Sequence, residues 1–119
     1  MDNKRYFKRV NFHVDAAASI DDTLYTGELF DISLKGALIK MKNDLGIPSG
    51  KACSVMLKLP NSIITLEFEA RIVHKQDNFL GFKFEGADVD SITHLRRLLV
   101  LNTGDEEEID REIVYWLND

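Results

Sequence analysis

The 119-residue chain predicts a mainly β domain, a small antiparallel barrel or a strongly curved sheet closed on itself, followed by carboxyl-terminal helices. Three observations carry that prediction. Segments with a period of two recur from residue 10 to about residue 86, turn formers separate them, and from residue 88 the hydrophobic period lengthens to about 3.6. Closure of the sheet follows because open edges invite pairing with other chains. A chain of this length forms one domain with a core that needs neither disulfide nor metal. Its 45% hydrophobic and 29% charged residues are ordinary for a globular protein.

Taken in order, Val10, Phe12 and Val14 alternate with Asn11, His13 and Asp15 and predict the first strand. "TLYTGELFDIS" after "DD" predicts the second, and "GALIKM" the third. A loop rich in turn formers, "KNDLGIPSG", precedes "ACSVMLKL", in which Cys53, Val55, Leu57 and Leu59 share a face. In "IITLEFEARIV" the inward set is Ile64, Leu66, Phe68, Ala70 and Ile72, and "FLGFKFE" returns as the sixth strand. A first helix then carries Ile92, Leu95, Leu98 and Leu99 on one stripe, with Asp88 or Asp90 as its cap and "NTG" as its stop. A second carries Ile109, Ile113, Trp116 and Leu117. The division is therefore a basic arm over 1–9, a barrel over 10–86 and helices over 88–119, within a single domain.

The net charge of −5 argues against general affinity for nucleic acid or anionic membrane, but it is unevenly spread. Lys4, Arg5, Lys8 and Arg9 crowd the amino end, whereas residues 105 to 112 hold six acids against Arg111. The acidic run reads as a helix start, with Asp105 capping and Glu106, Glu107 and Glu108 complementing the dipole. No stretch is long and apolar enough to cross a bilayer, and no apolar region follows the first charges. A lone Cys53 fits a reducing compartment, so the expected location is the cytoplasm. His13, His74 and His94 fall in separate elements without metal-ligand spacing, and no nucleophile-elbow, dinucleotide or Walker pattern occurs. Neither enzyme nor cofactor is expected.

What remains is "RYFKR" in the arm and "DISLKG" at a strand end. Arg5 and Arg9 bracket three residues, and two guanidinium forks at that spacing can converge on one planar anion. Arginine meets phosphate oxygens or the O6 and N7 edge of guanine bidentately and stacks on a base. The Asp31 carboxylate complements the N1 and N2 donors of guanine. Ser33 can bond a phosphate or base edge, and Gly36 either turns the chain or lets a ligand lie against backbone. In an extended "FDISLKG", Phe30, Ile32 and Leu34 would face the core and Asp31, Ser33 and Lys35 solvent. Together these groups would read a guanine nucleotide.

The two motifs in this order, with Arg9 and Asp31 22 positions apart, resemble the hallmark of the PilZ family: RxxxR on an amino-terminal loop and [DN]xSxxG on a following strand. The resemblance covers nearly the whole chain and implies a six-stranded antiparallel β-barrel with C-terminal α-helices. It also implies a bacterial receptor for the second messenger cyclic di-GMP. Arg5 and Arg9 would grip guanines and phosphates, while Asp31, Ser33 and Gly36 would hold the ligand's other side. Lys4 and Lys8 would add phosphate contacts. His74 lies near the position where some members stack an aromatic ring on guanine, although its parity with Ile72 turns it inward unless the strand bulges. A basic residue before the first arginine, here Lys4, accompanies binding of a stacked ligand pair, which implies two molecules per chain. The resemblance further implies a change of conformation passed to an unidentified protein partner, with no nucleic acid bound and no membrane insertion. An arm without an apolar face is expected to be mobile until ligand orders it. The alternative is a PilZ-like protein-interaction module that does not bind the nucleotide.

Overall fold

The computed structural model describes residues 7–44 and 46–118. Seven strands precede two helices: β1 (Val10–Asn11), β2 (Asp15–Ile20), β3 (Thr23–Ile32), β4 (Gly36–Met41), β5 (Ala52–Lys58), β6 (Thr65–Gln76), β7 (Phe79–Ala87), α1 (Val89–Thr103) and α2 (Glu106–Leu117). Six of the strands close an antiparallel ring. Around it β2 pairs with β3, β3 with β4, β4 with β7, β7 with β6, β6 with β5, and β5 again with β2. β1 adds two residues to the free end of β3, in line with β2.

Alternation builds the interior. Leu66, Phe68, Ala70 and Ile72 of β6 point inward against Val55 and Leu57 of β5, and against Leu80, Phe82 and Phe84 of β7. Phe68 and Phe84 stack with centroids 4.1 Å apart. The first strand differs from its sequence reading. The run from Val10 to Asp15 breaks after Asn11, and the barrel strand lies later, where Ala16, Ala18 and Ile20 face inward. Alanine has weak strand propensity, so "DAAASI" reads poorly as a strand until its neighbours bury it. At the β2–β3 hairpin Asp21 and Asp22 take φ values of 51° and 65°, a conformation that aspartate tolerates better than most residues.

The helices start and stop where their caps dictate. The Asp88 carboxylate accepts from the Ser91 amide, and Gly104, at φ 69°, closes α1 by donating to the Val100 carbonyl. The Asp105 side chain accepts from the Glu108 amide at the start of α2. α1 packs on β6 through Leu95, Leu98 and Leu99, and the buried Ser91 hydroxyl accepts from the Glu67 amide at 2.9 Å. A bidentate pair from Arg96 to Asp110, at 2.6 and 3.1 Å, ties α1 to α2. Ile109 is buried, and Ile113 and Trp116 are partly so. Leu117, expected on the same face, is exposed, since α2 ends beyond the surface it covers. Among the described residues no helix is long and apolar enough to cross a membrane.

Candidate ligand-binding face

A β-bulge decides how the second motif presents itself. Leu29 pairs with Ile39 and Asp31 with Leu38, which leaves Phe30 as an extra residue on β3. Phe30 is therefore turned out, at 40% exposure, rather than into the core as strict alternation predicts, while Leu29, Ile32 and Leu34 are buried. Its ring meets those of His13 and Phe79 edge to face, with centroids 5.4 and 5.6 Å apart. After the bulge Asp31 faces outward again, in register with Asn11.

Beyond Asp31 the chain turns tightly. The Ser33 amide donates to the Gly36 carbonyl at 2.9 Å, and the Lys35 amide donates to the Ser33 hydroxyl at 3.1 Å. Ser33, expected outside, is fully buried. Gly36 lies outside the left-handed region, so the turn does not demand glycine on dihedral grounds. Space does: a Cβ there would stand 2.0 Å from the Phe82 carbonyl oxygen of β7. Both residues thus fix the path of the chain at the β3–β4 junction. Asp31 is held at the mouth of that turn.

The first motif meets the second on this face. The Arg9 guanidinium donates to the Asp31 carboxylate, the arginine side chain being half exposed and that of Asp31 largely covered. Lys4 and Arg5 lie outside the described residues. Lys8 points elsewhere: its backbone amide donates to both carboxylate oxygens of Glu112 at 3.2 Å each, and its Nζ lies 3.8 Å from the Asp105 carboxylate. Phe7 packs edge to face on Tyr115, with centroids 6.0 Å apart and the Lys35 ammonium 5.9 Å from its ring. Residues 7 to 9 thus contact both the barrel and α2, which corrects the expectation of an arm with no apolar contact to make. Phe7 supplies that contact.

Pairing registers extend the face across the barrel. Asn11 pairs with Asp31, Asp31 with Leu38, Leu38 with Gly81, and Gly81 with His74. A second bulge, at Val73, gives both Val73 and His74 outward positions after the buried Ile72. The condition for an outward His74 is thereby met. Asp31 and His74 stand three strand spacings apart, about 14 Å, with half-covered Leu38 and bare Gly81 between them. An added Cβ on Gly81 would come within 3.0 Å of the His74 Cβ, so glycine keeps the floor low there. Leu38, Gly81 and the Glu112 anchor carry no sequence signal of their own, because each depends on a register or a helix docking that alternation does not encode.

A closed six-stranded barrel that carries the second arginine of RxxxR against the aspartate of DxSxxG defines a PilZ-type ligand-binding domain. The family model for the PilZ domain matches residues 3–101, and the chain belongs to that family, which binds cyclic di-GMP. Three solved structures share the fold. The PilZ domain of CeSA from a cellulose-synthesizing bacterium matches with a TM-score of 0.62 at 19% identity, covering 84% of this chain and 99% of that one. The Bacillus subtilis inhibitor of motility, MotI/DgrA, gives 0.72 at 13% identity over 89% of this chain and 54% of that one. An uncharacterized Legionella protein gives 0.52 at 24% identity, covering 86% and 99%. At these identities the likeness is one of fold.

Proposed function

We propose that this chain is a cytoplasmic receptor, without catalytic activity of its own, that binds cyclic di-GMP on the face running from Arg9 and Asp31 to His74. The contact between Arg9 and Asp31 carries the reading: two motifs 22 positions apart in sequence meet on an accessible surface. A carboxylate beside a guanidinium offers acceptors to the N1 and N2 donors of guanine and a positive fork to phosphate. Ser33 and Gly36 serve this site through the turn that sets Asp31, and His74 offers a ring for stacking at the far end of the row. Arg5 and Lys4 supply the remaining positive charge. Two ligands carry four phosphate charges, matched by Lys4, Arg5, Lys8 and Arg9 together, and we expect two molecules per chain.

The output passes through α2. Because Phe7 and Lys8 contact Tyr115, Glu112 and Asp105, phosphates that draw the arm toward the barrel face must strain or release those contacts. A protein partner would then read the altered α2 surface. Titration with cyclic di-GMP, GTP and a short single-stranded RNA tests the reading, and native mass spectrometry counts the ligands. Saturable binding of cyclic di-GMP alone, at two per chain, is expected. Binding of none of the three would return the chain to a pure protein-interaction module, and RNA binding would make it a nucleic-acid binder.

A further inference from the structure

Asp31 satisfies only part of guanine's recognition edge. A carboxylate that accepts from N1 and N2 leaves the adjacent O6, an acceptor, in need of a donor. O6 is also what most sharply separates guanine from adenine, which carries an amino group at that position. One flank of Asp31 is taken, since the Arg9 guanidinium is already turned onto the carboxylate. Asn11 stands directly across the strand pair.

We infer that Asn11 is a second guanine-reading residue, whose side-chain amide donates to O6 while Asp31 accepts from N1 and N2; the inference rests on the cyclic di-GMP reading above. Its placement follows from the backbone. The register sets Val10 opposite Ile32 and Asn11 opposite Asp31; the first pair is buried, so the second faces out. Side chains directly opposed in an antiparallel pair have Cβ atoms about 4.5–5.5 Å apart, close enough for both to reach one base. Arg9 and Asn11, two apart with Val10 turned inward between them, are both exposed beside Asp31. β1 consists of two residues, so half of this short strand is Asn11 itself. Asn11 makes no side-chain hydrogen bond with another described residue, which leaves its amide available to a ligand.

The test uses the full chain with cyclic di-GMP and with cyclic di-inosine monophosphate, which keeps O6 and N1–H but lacks the N2 amino group. Asn11→Ala should weaken both ligands by the same factor, roughly tenfold, as expected for one lost hydrogen bond in the site. Asn11→Asp, of nearly the same shape but with acceptors in place of the amide donor, should weaken both further. Asp31→Ala, in contrast, should narrow the gap between the two ligands. If both Asn11 variants bind cyclic di-GMP within twofold of the parent, the inference fails while the receptor reading stands. It fails equally if Asn11→Ala weakens binding and Asn11→Asp does not, since shape and not donation would then be at work. A parent chain that binds neither ligand sinks the receptor reading itself.

Discussion

The Lys8 backbone amide donates to both carboxylate oxygens of Glu112, joining the arm to α2 across 104 residues of sequence. Glu112 is fully buried, so its carboxylate depends on protein donors rather than water. Glu112→Ala should therefore loosen α2 and cost about 1–3 kcal/mol of stability, the range for disrupting a buried polar contact. Amide exchange over residues 106–118 should accelerate in the variant. Unchanged exchange and an unchanged melting temperature would show that α2 docks without this contact.

Arg9 and Asp31 form an ion pair whose guanidinium is half exposed, and solvent screening keeps its contribution to folding small, about 0–1 kcal/mol. Their loss should be felt in binding instead. Arg9→Ala and Asp31→Ala should each weaken cyclic di-GMP by about 2 kcal/mol, the scale of a hydrogen bond to a charged group. The double variant should lose less than the sum, because the two side chains touch. Calorimetry that finds parental affinity in a folded single variant would remove that residue from the site.

Gly36 belongs to the motif, yet its surroundings make it a packing residue first. A methyl group there would collide with the Phe82 carbonyl oxygen, and a backbone atom in a central strand cannot swing aside. Gly36→Ala should cost about 3 kcal/mol, at the upper end of overpacking. The expected signature in denaturant unfolding is a lowered midpoint that accompanies any loss of affinity. A variant with parental stability and impaired binding would instead assign Gly36 to ligand contact.

Burial pushes the Cys53 thiol up from 9.0 to about 11, against the opposing influence of Arg71. For an acid whose folded value is raised, the charged form is the one that folding disfavours. The thiol's contribution is thus intact below pH 9 and is lost as the pH rises from 9 toward 11. Relative to Cys53→Ala, the parent should lose stability across that window and hold level below it. A stability difference independent of pH from 7 to 11 would contradict the assignment.

Much of the barrel is legible in sequence because burial on one face imposes alternation, as Leu66 to Ile72 show. The caps are legible for a similar local reason: Asp88, Gly104 and Asp105 act within a few residues of themselves. The bulges at Phe30 and Val73 are not, since an extra residue in a strand is defined by the strand across from it. Those two bulges decide much of the site. One turns Phe30 out beside an Asp31 that alternation alone already places outside, and the other gives His74 its outward position. Glu112 reads as one more acid in a run of them, and only the docking of α2 shows it to be buried against Lys8.

Chemical-shift mapping of the amides during a cyclic di-GMP titration tests the central claim most directly, because it locates the ligand as well as detecting it. The account predicts saturable shifts along Asn11, Asp31, Leu38, Gly81 and His74, with a second set in α2 near Glu112 as the arm moves. Shifts confined to the opposite side of the barrel, around β2 and β5, or no shifts at saturating ligand, would contradict it.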